Sequence, residues 1–147
     1  MAVRVQTEDF DLGAEAALLR GDGEAGALVT FSGIVRGGAD DVAAMTLEHY
    51  PGMTEAALEE IEAEARERWP LSAVLIIHRV GRLMPGENIM MVAAASRHRK
   101  AAFEAAEFLM DYLKTRAPFW KKEETAEGAR WVDAREADDE AAARWGK

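Results

Sequence analysis

The stretch from Asn88 to Pro118 constrains the fold of this chain more than any other. Asn88 to Ala95 (NIMMVAAA) is almost wholly apolar and reads as a buried strand, and only two residues separate it from a stretch of helical periodicity running from about His98 to Arg116. Phe103, Ala106, Met110 and Leu113 form the predicted buried stripe of that helix. Pro118 must end it, because a proline drives the residue before it out of helical geometry. A buried strand feeding a long amphipathic helix needs a sheet on which the helix can lie.

The other segments supply that sheet in mixed order. Residues 2–6 and 72–80 read as strands, and Leu12 to Arg20 as a short helix. Ala25 to Val35 and Val42 to Tyr50 read as two strands joined by a loop at Gly37 to Asp41, a predicted hairpin. Thr54 is placed to cap a helix from about Glu55 to Trp69 with Leu58, Ile61, Ala65 and Trp69 on one face, ended by Pro70. Gly81 and Pro85-Gly86 are predicted turns, Phe119 to Glu124 and Arg130 to Val132 short strands, and Glu136 to Trp145 a last helix. The expected class is α+β, with a mainly antiparallel sheet and packed helices in one domain over residues 1–147.

Charge narrows the ligand. The net charge is -9, which argues against a nucleic-acid binder. Between Arg97 and Lys122, however, seven Lys or Arg stand against three acids, a local +4. A basic island in an acidic chain suits a small anion. With no cysteine, disulfides, thiolate metal sites and cysteine nucleophiles are excluded. The first residues lack the apolar core of a secretory signal, and Ile89 to Ala95 is far too short to span a bilayer, so a cytoplasmic protein is expected.

Several motifs fail. Gly81 to Gly86 has P-loop glycine spacing, but Glu87-Asn88 follows where Lys and Ser/Thr belong. The three histidines fall in different elements without metal-ligand spacing, and His49 and His78 are better read as core or surface residues. The serines form no nucleophile elbow.

The chemistry concentrates at Ser96-Arg97-His98-Arg99-Lys100, Lys114 and Lys121-Lys122. His98 and Arg99 fall at a helix start, where free N–H groups and the dipole favour an anion, so basic residues there suit a bound phosphate. Ordinary solvated charge is the competing account of that cluster. Lys114 closes the same helix beside apolar groups that would lower its pKa, although a C-terminal lysine also suits the dipole alone. On one straight helix His98 and Lys114 lie about 24 Å apart and about 160° round the axis, so one small pocket cannot use both from one copy. The expected arrangement is a homodimer whose intersubunit pocket takes Lys114 and Lys121 from one chain and His98 and Arg99 from the other.

The strings LEHYPGMTE (47–55), RWPL (68–71), IHRVG (77–81) and FEAAEFLMDYLKTRAPFWKKE (103–123), with FSGIVR (31–36) and SRHR (96–99), resemble the large, catalytic subunit of molybdopterin synthase. The resemblance covers nearly the whole chain after about residue 25 and implies an α/β-hammerhead-like fold. It also implies a sulfur transferase that converts a cyclic pyranopterin monophosphate (precursor Z) to molybdopterin in molybdenum cofactor biosynthesis. By the same resemblance Lys114 is the essential lysine and Lys121 the second active-site lysine, while Arg36, His98 and Arg99 contact phosphate and pterin. Ile34, Val35, Lys122 and Glu123 would be neighbouring pocket positions, and Phe31 and Met110 apolar walls. The implied sulfur donor is the thiocarboxylated C-terminal Gly-Gly tail of a small ubiquitin-like subunit, bound in a heterotetramer, with no metal or cofactor at this step. A cysteine-free chain ending Trp145-Gly146-Lys147 can neither hold sulfur as a persulfide nor be its own carrier. A non-catalytic dimeric phosphate-ligand-binding protein is the alternative.

Overall fold

In the computed structural model the described residues are 2–37, 43–125, 128–132 and 136–146. Eight strands and four α-helices follow in the order β1 (Val3–Gln6), α1 (Leu12–Leu18), β2 (Ala27–Ile34), β3 (Ala44–His49), α2 (Met53–Arg68), β4 (Leu71–Arg79), β5 (Gly81–Leu83), β6 (Asn88–Ser96), α3 (Arg99–Arg116), β7 (Phe119–Thr125), β8 (Gly128–Val132) and α4 (Glu136–Ala143), with a terminal 3-10 turn. They build two four-stranded sheets, β1-β4-β6-β2 and β5-β3-β7-β8. Only the β1–β4 pair is parallel, so the class is α+β with antiparallel pairing dominant.

Both faces of the first sheet are covered, which explains its nearly unbroken apolar strands. Val74, Ile76 and Val92 point to one face and pack with Leu58, Ile61, Phe108 and Leu109 of α2 and α3. Leu75, Ile77, Met91 and Ala93 point to the other and meet Phe10 and Leu12. His78 continues the alternation of Val74 and Ile76, so its side chain faces α3.

The predicted hairpin of 25–35 with 42–50 does not form. β2 pairs with β6, whereas β3 pairs with β5 and β7 in the other sheet. Val35 explains the parting: its N–H donates to the Glu87 carbonyl at 2.9 Å and its carbonyl accepts from Gly86 at 2.8 Å. These bonds carry the chain across the β5–β6 turn and out of the first sheet. Of the predicted loop at 37–41, residues 38–41 lie outside the described residues, as does Val42.

The stripe predicted for α3 is partly out of phase. Phe103 is 60% exposed, while Ala102, Ala105, Ala106, Phe108, Leu109, Tyr112 and Leu113 are buried. The alanines let the first half of the helix lie close on the sheet at Ala94, which leaves Phe103 on the outer side. Met110 is half-buried against the core, and Trp69 sets its ring edge-on to Phe108 at 5.3 Å. The helix ends as the proline requires, with Ala117 extended at φ -85° and ψ 129°.

Thr54 does not cap α2 in the expected manner, since the helix begins one residue before it. Its buried hydroxyl accepts from the Tyr50 N–H and donates to the Pro118 carbonyl, both at 2.9 Å. This ties the end of β3 and the start of α2 to the point where the chain enters β7. Replacing Thr54 with Val strands both groups and is expected to cost about 1–3 kcal/mol. Urea unfolding of the variant measures it; an unchanged midpoint would show that the bridge contributes nothing.

Candidate functional site

Alternation along β7 sorts its residues onto two faces. Phe119, Lys121 and Glu123 share one, directly opposite His49, Leu47 and Met45 of β3. Met45 and Leu47 pack with Val35 and Leu83, so this face looks inward. Trp120, Lys122 and Glu124 share the other. There Lys122 Nζ sits 5.4 Å above the ring of Trp131, and Arg82 grips Glu124 through two bonds at 2.9 and 3.3 Å. Lys122 therefore projects away from Lys121.

Lys114 stands exposed in the last turn of α3, just before the chain enters β7. The ring of Phe119 stacks on that of His78 with centroids 3.9 Å apart and planes 18° apart. Burial, aided by the positive charge of Lys114 and by His49, pushes the His78 pKa down to about 4, against a backbone hydrogen bond to Arg79 that raises it. Lys114 bears on His78 through its charge from the end of α3, and Lys121 stands two residues along β7 from the Phe119 ring that stacks on His78. Lys121 and Glu123 thus share the inward face of β7, and Lys114 closes the helix that leads into that strand.

Arg36 belongs to this end as well. It directly follows Val35, whose side chain packs on Met45 and Leu47, the β3 residues paired with Glu123 and Lys121. Arg36 is exposed. Ile34 and Phe31, 56% and 44% exposed, point to opposite faces of β2.

His98 and Arg99 do not join them within one chain. His98 is the N-cap of α3 and Arg99 its first residue, both exposed, with no acidic residue in the first turn. Lys114 closes the other end of the helix, about 24 Å away. The sheet repeats the separation: Ala27 of β2 pairs with Ser96 beside the His98 end, and Ile34 pairs with Asn88 at the Arg36 end. The basic island is therefore split between the two ends of α3.

The His98 end depends on a close backbone approach. Gly26 donates to the Ser96 carbonyl at 2.9 Å, and a Cβ built on it would lie 2.3 Å from the carbonyl oxygen of Arg97. Gly26→Ala is therefore expected to displace the Arg97–His98 segment and destabilise the fold by about 1–3 kcal/mol. Thermal unfolding checks this, and a variant as stable as the parent would show that the segment yields freely.

His78, His49 and Phe119 were not singled out as site residues from sequence. Two-residue alternation in 72–80 could have placed His78 on the face of Val74 and Ile76. Nothing in the sequence shows that Phe119 stacks upon it.

The chain matches a family model described as MoaE protein over residues 5–116, and it belongs to that family. Its curated relatives are molybdopterin synthase catalytic subunits, enzymes of molybdenum cofactor biosynthesis. The catalytic subunit from Cereibacter sphaeroides is 60% identical over 99% of this chain and 100% of its own length. Among solved structures, a molybdopterin biosynthesis MoaE protein from Burkholderia ambifaria is 61% identical, covering 100% of this chain and 99% of its own, with a TM-score of 0.85. The molybdopterin synthase from Staphylococcus aureus superposes with a TM-score of 0.83 at 29% identity, over 90% of this chain and 98% of its own.

Proposed function

We propose that this chain is the sulfur-transferring subunit of a molybdopterin synthase, converting cyclic pyranopterin monophosphate to molybdopterin. Sulfur comes from the thiocarboxylated Gly-Gly tail of a small ubiquitin-like subunit, because a chain with no cysteine has no thiol of its own to carry it. The observation that carries the reading is that Lys121 lies on the inward face of β7, two residues from the Phe119 ring stacked on His78, while Lys114 stands in the last turn of the helix that leads into that strand. Lys114 is the proton-transfer or covalent residue. Lys121 orients the pterin and stabilises the negative charge that develops on it. Arg36 contributes a cation at the same end, and Glu123, Val35 and Met110 border the pocket. Two transfers from two carrier tails build the dithiolene.

The phosphate cradle is completed by His98 and Arg99 of a second copy, through charge-assisted bonds. The form of the sheet supports this. β2 lies at its edge, with one side of its backbone unpaired by another strand among the described residues. Antiparallel pairing of two β2 edges across a two-fold axis would set the Arg36 end of one copy beside the His98 end of the other. Phe31, Ile34 and Phe103 lie exposed around that edge or on the helix beside it. Residues 1–147 act as one domain in this assembly, a homodimer carrying two small subunits. The setting is the reducing cytoplasm, and no helix among the described residues is long and apolar enough to cross a membrane.

Reconstitution tests the reading. Purified chain, thiocarboxylated carrier and pterin precursor should together yield dithiolene, and omission of any one should abolish it. Tight pterin binding with no product at any carrier concentration would favour the non-catalytic phosphate-binding protein instead.

A further inference from the structure

The turn between β5 and β6 is where the P-loop spacing fails, because Glu87-Asn88 stands in place of Lys and Ser/Thr. The structure gives that glutamate four bonds. Its N–H donates to the Met84 carbonyl at 3.0 Å, and its Oε2 accepts from the Met84 N–H at 2.6 Å. Its Oε1 accepts from the Arg79 guanidinium at 3.3 Å, and its carbonyl accepts from the Val35 N–H at 2.9 Å. Glu87 therefore closes its own turn, fastens that turn to β4, and holds the chain as it leaves β2.

Arg79 makes the fastening rigid, since it is buried and fully engaged. It also donates to the Thr7 carbonyl at 3.0 and 3.2 Å and to the Asn88 carbonyl at 3.0 Å. The Asn88 side chain in turn donates to Asp9 at 3.0 Å. One guanidinium thus joins β4, the start of β6 and the segment after β1. Gly86, at φ 91°, completes the turn and donates its N–H to the Val35 carbonyl at 2.8 Å. Both backbone polar groups of Val35 are consequently held by the turn that Glu87 shapes.

Arg36 is the next residue along the chain. Val35 is buried against Met45, Leu47 and Leu83, and Met45 and Leu47 pair with Glu123 and Lys121 of β7. The root of the exposed Arg36 is therefore fixed relative to the inward face of β7. The connection runs without a gap from Arg79 to Glu87, from Glu87 and Gly86 to Val35, and from Val35 to β3.

We propose that Glu87, anchored by Arg79, is a positioning residue that fixes the backbone from which Arg36 reaches the substrate's phosphate. The proposal rests on the reading of Arg36 as a phosphate contact. A long, exposed arginine binds an anion less well when its root also wanders, because binding must then restrict both. Simple electrostatics points the other way. Glu87 is an anion bonded to the Val35 segment, and its removal would by charge alone favour an anionic ligand. The sign of the effect therefore separates positioning from charge.

Calorimetric titration of the pterin precursor reads that sign. Glu87→Ala should weaken binding by about ten-fold, through misplacement of Arg36. Glu87→Gln removes the same charge but keeps an acceptor for the Met84 N–H, and should recover most of the loss. In an Arg36→Ala background the further change Glu87→Ala should cost nothing, because the glutamate acts through the arginine. A loss of equal size in both backgrounds is what a merely structural role would give, and it would overturn the proposal. So would a Glu87→Ala chain that binds as tightly as the parent or more tightly. Amide hydrogen exchange reads the clamp without ligand: Val35 and Gly86 should exchange about ten-fold faster in Glu87→Ala, while Ile76 and Val92 in the covered sheet keep the parent's rates. Unchanged protection at Val35 would also overturn it. Should Arg36→Ala bind the precursor as the parent does, the phosphate role of Arg36 fails, while the clamp stands or falls on the exchange at Val35.

Discussion

Lys114→Ala is expected to lower the rate of dithiolene formation by about 10²–10⁴-fold, the range lost when a positioned proton-transfer group is removed. Binding of the pterin precursor should weaken far less, because in the proposed pocket Lys121, Arg36 and the second copy's His98 and Arg99 remain. The substitution should spare the fold: Lys114 is exposed, in the last turn of a helix held by Phe108, Leu109, Tyr112 and Leu113. The split between rate and binding is the informative part. Under a purely ligand-binding role, the same substitution would weaken pterin binding in proportion to the charge removed, and neither parent nor variant would form product. Titration of the precursor by calorimetry, set beside single-turnover product formation, separates the two outcomes.

The second large effect comes from mixing inactive chains. In the proposed homodimer, Lys114→Ala and Arg99→Ala should each be nearly inactive, the first losing the proposed reacting residue at both sites and the second the proposed phosphate clamp. If each pocket draws Lys114 from one chain and Arg99 from the other, a mixed dimer contains one intact pocket and one doubly damaged pocket. Random reassortment of equal amounts should then restore about a quarter of the parent's sites, as the two-fold symmetry requires. If both residues served the same chain's pocket, no combination would recover activity beyond the sum of the parts. The distance between the two ends of α3 favours recovery, since 16 residues of helix span about 24 Å and a pterin phosphate cannot bridge it.

Much of this architecture could be read from residue order. Pro118 ends α3 through an extended Ala117, and the apolar run at 88–95 is a strand covered on both faces. What failed was long-range pairing. The hairpin expected between 25–35 and 42–50 was reasoned from adjacency, but the two backbone bonds of Val35 to Gly86 and Glu87 send the chain into another sheet. Helix spacing put Phe103 in the core together with Ala106, and only Ala106 is buried there. The alanines win here, since Ala102, Ala105 and Ala106 permit a closer approach than an aromatic ring would.

At the candidate site the pairing of Lys114 with Lys121 was an expectation of the sequence, whereas which of Lys121 and Lys122 faces inward was not legible there. Strand alternation separates Lys121 from its neighbour Lys122, whose ammonium lies over Trp131 on the outer face. That distinction depends on which face of β7 meets the core, and only the pairing with β3 and the packing of Val35 decide it. His78 was passed over because a histidine in an apolar strand is usually a satisfied core residue. Its carbonyl-bound Nδ1 agrees with that view, and its ring stacks on Phe119 at the start of β7.

Because the chain has no cysteine, a single introduced thiol is a clean probe. The most direct measurement combines a Lys121→Cys chain with a His98→Cys chain and treats the mixture with a short thiol-reactive crosslinker reaching about 10 Å, less than half the helix length that separates the two ends of α3 in one copy. A crosslinked dimer carrying one of each variant, abundant in the mixture and suppressed by the pterin precursor, is the predicted result. Monomer alone under these conditions, at concentrations where the parent is active, would contradict the intersubunit pocket.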